Sequence, residues 1–251
     1  MGHTGPSAIS RGEFGVVAAH RLLALFQRFD IATTSFIPGI TIDTYPDVCS
    51  GIAAAGHEIG HHGYRHIAPA KLSREQEAEE LARGNEAIVR IAGNAAKGYR
   101  SPAWELSEHS VELLQEAGFV YDSSLMGHDY HPYRARSGDV VEQDHPIKFG
   151  KESELWELPI SWSADDFPHF EYFRGSGLQA ASAVLENWLD DFIYLQENLD
   201  WGVMTYTLHP FVIGRGHRMK MLERLLTALA HAGAKFLTCS QAIDMAKARH
   251  S

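Results

Sequence analysis

Cysteine is nearly absent. Cys49 and Cys239 are the only two in 251 residues, and they stand too far apart to outline a disulfide framework or a paired-cysteine metal ribbon. Two reduced, mostly buried thiols are expected. Long apolar runs are missing as well. The longest, Phe14 to Phe26, is interrupted by His20 and Arg21 and falls short of bilayer length. Met1 to Ser7 has no basic segment leading into an apolar core, so it does not read as a secretion signal, and a cytoplasmic location is expected. Positive charge is in deficit: 22 Lys and Arg face 32 Asp and Glu, a net charge of −10. With no basic patch against that balance, neither nucleic acid nor an anionic membrane surface is an expected partner. No GxGxxG and no Walker-type glycine loop follows a strand-like segment, so nucleotide binding has no support. The rest is ordinary for a globular chain, 45% hydrophobic and 22% charged, and the length suits one large domain over residues 1–251.

Histidine, by contrast, is concentrated. The run Gly56 to His66 holds four of the fifteen: His57, His61, His62 and His66. Imidazole is the commonest protein ligand for a transition metal, and it titrates nearest neutral pH. Gly56, Gly60 and Gly63 suit an irregular backbone. The stretch reads as a strand end opening into a loop, where α/β enzymes place their chemistry. The spacing of His62 and His66 brings both rings to one side of a turn. His57 and His61 read equally well as ligands or as structural or solvated histidines.

Apolar periodicity predicts helices over Val16–Phe29, Tyr45–Ala55, Ser73–Ile91, Ser107–Ala117, Ala180–Leu195, His217–His231 and Gln241–Arg249. Ser73 with Gln76 three residues on is a capping-box pattern. Ser10–Gly15 reads as loop. Seven short strands are predicted at Ile31–Ile37, the start of the histidine stretch, Gly98–Arg100, Phe119–Tyr121, Leu155–Ile160, Val203–Leu208 and Lys235–Thr238. Met126–Glu154 shows no period and is expected to be a functional loop that sets substrate choice. Strands alternating with helices imply a parallel sheet with right-handed crossovers. The expected fold is α/β, a distorted TIM-like (β/α) barrel, with an open doubly wound sheet as the alternative.

In a β/α barrel, residues at the strand C-termini converge on one face. Those residues here are His62, His66, Arg100, Asp122, Asp165, Asp166 and His209. They supply metal ligands, a cation, carboxylates and a separate histidine for proton transfer, which suits metal-assisted hydrolysis. Two histidines fall one short of a catalytic zinc, which takes three protein ligands and keeps a position for water. Trp104, Tyr130, Tyr133, Trp162, Phe167, Phe170, Tyr172 and Phe173 lie in the intervening loops, where aromatics stack on sugar rings or simply cover a barrel mouth.

Several segments together resemble the NodB-homology polysaccharide deacetylases. They are Thr34–Gly39, Gly56–His66, Gly98–Trp104, Gly118–Met126, Glu157–Trp162 with Asp165 and Asp166, and Thr207–Pro210. Within that family the chain is most similar to the cytoplasmic subgroup of peptidoglycan-deacetylase-like proteins, cofactor-independent allantoinases and cyclic imide hydrolases. The resemblance implies a distorted β/α barrel. It also implies that His62 and His66 are metal ligands, that Arg100 orients a catalytic carboxylate, and that His209 protonates the leaving amine. Asp165, in a segment supporting the active-site mouth, is the third expected catalytic residue. Tyr64, Trp104 and Trp162 are the expected substrate contacts. One family motif is missing: the first strand ends in an aspartate pair, base and third metal ligand, whereas no Asp precedes Asp30 here. The expected domain is therefore N-terminally truncated.

Three functions follow as expectations. The first is a metal-assisted amidohydrolase, with zinc as the expected metal, that deacetylates a saccharide. The second is a hydrolase of a small cyclic ureide or imide, which in this subgroup needs no metal. The third is a catalytically impaired barrel that binds a sugar or a partner. A homo-oligomer is expected in each case.

Overall fold

The computed structural model describes residues 6–172 and 177–250. In chain order the elements are α1 (Pro6–Arg28), β1 (Thr34–Ile37), α2 (Gly39–Thr44), α3 (Pro46–Ala54), β2 (Glu58–His61), α4 (Arg74–Ala92), β3 (Gly98–Tyr99), α5 (Ser110–Glu116), β4 (Tyr121–Asp122), β5 (Tyr133–Ser137), β6 (Lys151–Glu157), α6 (Asp166–Phe170), α7 (Ala181–Asn198), α8 (Pro210–Ile213), α9 (Gly216–His231) and α10 (Cys239–His250). Among the described residues, no helix is long and apolar enough to cross a membrane. The chain divides into two compact units, Met1–Ala32 with Ser161–Phe236, and Thr33–Ile160 with Leu237–Ser251.

The second unit carries the sheet, in the order β1-β2-β3-β4-β6-β5. Neighbours from β1 to β6 pair in parallel, and β5 runs antiparallel along β6. This is an α/β arrangement, and its hydrogen-bonded sheet is open among the described residues. Its core packs Ile37, Ile59, Leu81, Ile88, Tyr99, Leu114 and Leu155. Ser73 caps α4 through a reciprocal bond with Gln76: its hydroxyl accepts from Gln76 N and its own N–H donates to Gln76 Oε1. Gly93, at φ +77°, ends the helix in the left-handed region. Two glycines admit side chains instead of backbone freedom. A Cβ on Gly98 would sit 1.8 Å from the ring of Tyr121, and one on Gly84 would sit 2.1 Å from His61 Nε2.

The first unit is helical. Leu22, Leu25 and Phe26 of α1, Val184 and Trp188 of α7, Val212 and Ile213 of α8, and Leu222, Leu225 and Leu229 of α9 share one core. Each fully buried large apolar side chain there contributes about 1.5–3 kcal/mol against exposure. Trp188 Nε1 donates to Ser163 O, so the buried indole is satisfied.

Four expectations are corrected. Ser10–Gly15 is helix, because α1 begins at Pro6, where proline's fixed φ suits a first turn. Val203–Leu208 makes only an isolated parallel bridge, Asp165 with Thr207. Lys235–Thr238 forms no strand. The supposed loop Met126–Glu154 contains β5 and the first residues of β6, whose antiparallel partners are remote in sequence.

Candidate functional site

The C-terminal end of β2 delivers the histidines. His61, fully buried, turns its ring toward α4: Nε2 donates to Leu81 O at 3.0 Å and Nδ1 accepts from Gly63 N at 3.1 Å. Burial pushes its pKa down to about 4, so the ring is neutral and structural. His57 is also buried, and its Nδ1 accepts from Thr33 N at 3.0 Å. It lines a depression with Glu58, Lys97, Thr238 and Ser240 at the strand N-termini, the opposite end from His62.

His62 follows the strand directly. Its Nδ1–H donates to the backbone carbonyl of Arg100 at 2.6 Å, which places the neutral ring's lone pair on Nε2. The His66 ring lies 4.9 Å away at 70°. His66 itself is exposed and sits at φ +56°, a conformation few non-glycine residues adopt. The two imidazoles fit a transition metal by donor type and by the ordered Nε2 of His62. Alone they make an incomplete set.

Behind them, Arg100 is buried and spans to the next strand end. Nε donates to Ser123 O at 2.9 Å and Nη2 to Ser123 Oγ at 2.8 Å, with the guanidinium over the Phe36 ring. Asp122 and Glu157, directly paired across β4 and β6, are both fully buried. Ser124 Oγ donates to Asp122 Oδ1, and the amides of Ser124 and Leu125 donate to Glu157 Oε1. The remaining oxygens, Asp122 Oδ2 and Glu157 Oε2, are buried without a hydrogen-bond partner. Two carboxylates buried side by side do not both ionise readily. Burial pushes Asp122 up to about 6 and Glu157 well above the usual carboxylate range.

In the first unit, the bridge at Thr207 brings a second cluster together. Thr207 N donates to Ala164 O and Asp166 N donates to Thr207 O, which sets the start of α6 beside the start of α8. Asp165 Oδ1 accepts from Phe167 N at 2.7 Å and caps α6. Asp166 accepts from the His209 backbone N–H, at 3.1 and 3.0 Å, and from His209 Nδ1 at 2.8 Å. Asp165 Oδ1 is 3.6 Å from the same nitrogen. Burial raises Asp166 to about 6 against the lowering effect of His209. Phe167 and Phe211 flank the imidazole. Asp165, Asp166 and His209 present ligand atoms within 4.8 Å of one another and could hold a metal. Both Asp166 oxygens and Asp165 Oδ1 already accept from N–H donors, so the arrangement fits better a histidine oriented by a carboxylate, with its lone pair on Nε2.

The aromatic candidates separate by environment. Tyr64 donates its hydroxyl to Asp43 and carries the Arg83 guanidinium on its ring, so it is occupied in tying the histidine loop to α2 and α4. Trp104 is buried at φ +56°. Trp162 is 43% exposed. Phe170 lies in the core, and Phe173 falls outside the described residues. Reading the sequence picked out Asp165 as the catalytic carboxylate of its pair, whereas Asp166 makes the direct bond to His209. Adjacent carboxylates carry no signal to tell them apart. Nothing in the local sequence pattern singles out Glu157 or Glu80 either.

An α/β fold with a paired-histidine strand end and a separate carboxylate-held histidine has the chemistry of a hydrolase. The chain belongs to the polysaccharide deacetylase family, whose sequence profile matches residues 14–121, and whose members hydrolyse carbon–nitrogen bonds. It is similar to a peptidoglycan deacetylase of Helicobacter pylori, 34% identical over 97% of this chain and 88% of that one. A Mycobacterium smegmatis structure assigned as a polysaccharide deacetylase superposes with a TM-score of 0.82 at 32% identity, covering 96% of this chain and 81% of the other. The Puue allantoinase structure reaches a TM-score of 0.77 at 25% identity, over 98% and 77%. The barrel-type α/β fold read from the sequence is thus the fold of these proteins.

Proposed function

We propose that this chain removes acetyl groups from an N-acetylated amino sugar, of the peptidoglycan or a related polysaccharide type, with a divalent metal on His62 and His66. The observation that carries the reading is the His62 Nδ1 bond to the Arg100 carbonyl, which presets a coordinating Nε2 next to His66. Zinc suits such imidazoles, and when bound it would polarise the amide carbonyl and lower the pKa of water. His209, held through Nδ1 by Asp166, has the arrangement of a general acid, and the family resemblance assigns it the proton for the departing nitrogen. The Asp166 anion favours the imidazolium from which that proton comes. Asp165 caps α6 and so fixes Asp166. Arg100, to which the family resemblance assigns the orienting of a catalytic carboxylate, is here bonded to Ser123 behind the histidine pair, and Trp162 offers a face to a sugar ring.

The likeness to an allantoinase over nearly the whole chain supports a second reading, hydrolysis of a small cyclic ureide or imide. Assaying N-acetylglucosamine oligomers, allantoin and succinimide side by side, with and without chelator, separates the two. Turnover of the oligomers that is lost with chelator is expected, together with a fall of about 10²–10⁴-fold in His209→Ala. Full turnover by His209→Ala would sink the assignment. Ring opening that survives chelator selects the second reading. No turnover alongside intact metal binding selects a sugar-binding barrel.

A further inference from the structure

Between His62 and His66 the backbone forms no regular secondary structure, and His66 holds a left-handed φ of +56°. Such a turn needs support from outside itself. Gly39 N and Ile40 N donate to the carbonyls of Gly63 and Tyr64, and one side chain touches the turn three times. Glu80 of α4 accepts from Tyr64 N at 2.9 Å and from Arg65 N at 2.7 Å, both at Oε2. Its Oε1 accepts from Arg65 Nε at 2.6 Å. Successive backbone N–H groups aimed at one point make an anion cradle, and here the anion belongs to the protein. The Glu80 side chain is 4% exposed. A carboxylate that deep persists only when donors surround it, so the same bonds hold both the acid and the loop.

We infer that Glu80 is the positioning residue of the metal pair. It fixes the turn that brings the His62 and His66 rings to 4.9 Å, and it keeps a negative charge beside the loop that receives a dication. This rests on His62 and His66 binding metal. Glu77, on the same helix and equally buried, serves a different place: its carboxylate accepts from Ser107 and Ser110. It supplies the comparison.

The test uses the full chain and Co²⁺ alone. Affinity and band shape are read from the visible spectrum, and thermal unfolding is followed by circular dichroism. Glu80→Gln keeps the size but loses the charge and turns one acceptor into a donor. Its Co²⁺ affinity falls about 10–100-fold with an altered band, while Glu77→Gln, with a similar loss of thermal stability, binds as the parent does. Should Glu80→Gln fail to fold, Glu80→Asp retains the charge but falls short of the two amides, and a loss of about ten-fold is expected. Parental affinity and band in Glu80→Gln, or in Glu80→Asp if the first is unfolded, overturns the proposal. Equal losses in the Glu80 and Glu77 variants overturn it too, since they mean general loosening. A parent chain with no Co²⁺ band, or a band unchanged in His62→Ala, overturns the metal reading itself, and the role of Glu80 falls with it.

Discussion

The histidine loop after β2 and the His209 cluster at α6 and α8 solve one problem in opposite ways. Both must aim an imidazole Nε2 by holding its Nδ1. The loop uses a neutral backbone carbonyl, that of Arg100, and leaves His62 half-buried. The His209 cluster uses a carboxylate, Asp166, with no exposure at all. A carbonyl orients a ring without charging it, which suits a metal ligand that must stay neutral. A buried carboxylate orients a ring and stabilises its cation, which suits a proton carrier. On the function proposed above, the partner on Nδ1 matches the job of each histidine.

The largest test of that contrast exchanges the readouts. Asp166→Asn is expected to lower turnover about 10²–10⁴-fold and to leave Co²⁺ affinity within about three-fold, because a ligand's outer-shell partner is worth 10–100-fold and Asp166 is not one. His62→Ala is expected to remove the Co²⁺ band. If Asp166→Asn abolishes metal binding and His62→Ala does not, the two roles are reversed.

A smaller effect comes from beneath the loop. Gly84→Ala places a Cβ against the ring of His61. It should cost about 1–3 kcal/mol in urea unfolding, and it should weaken Co²⁺ binding because His61 anchors the strand end before His62. Unchanged stability would mean that the His61–α4 contact yields easily and does not support the pair.

The smallest expected effect has a different sign in each region. The folded state holds His61 near 4 rather than 6.5, so stability falls as pH drops through that interval. It holds Asp166 near 6 rather than 3.8, so stability falls as pH rises through that one. Each contributes at most roughly 1.4 kcal/mol per pH unit. Between pH 4 and 6, chemical unfolding of Asp166→Asn should therefore show stability rising more steeply with pH than in the parent, and His61→Asn less steeply. The same slope in both variants would place these shifts elsewhere, with the Asp122–Glu157 pair the first candidate.

Much of this was written in local sequence. The Ser73–Gln76 cap and the long helices rest on near-neighbour spacing, and His62 with His66 rests on a spacing within one turn. What stayed hidden depends on distant partners. β5 is a run of Tyr, Arg, Ala, Arg and Ser whose stabilising surface is β6, with Arg134 lying over Trp156. Residues 10–15 carry two glycines that argue against helix, yet the α1 core face, from Ala18 to Phe26, holds that segment in register. Val203–Leu208 has strand composition but pairs only at Thr207. In the site, Glu80 lies outside any local pattern, and Asp166 differs from Asp165 only in which way a cap turns it.

The acceptor on His62 has one more consequence. A main-chain carbonyl is present whatever residue occupies position 100, so no single codon change deletes it. The partner of His209 is a side chain that one nucleotide can erase. Mutational drift in a chain of this design would silence proton delivery first and leave the ligand-ordering half standing. On the function proposed above, its relics would still bind metal long after they had stopped turning over substrate.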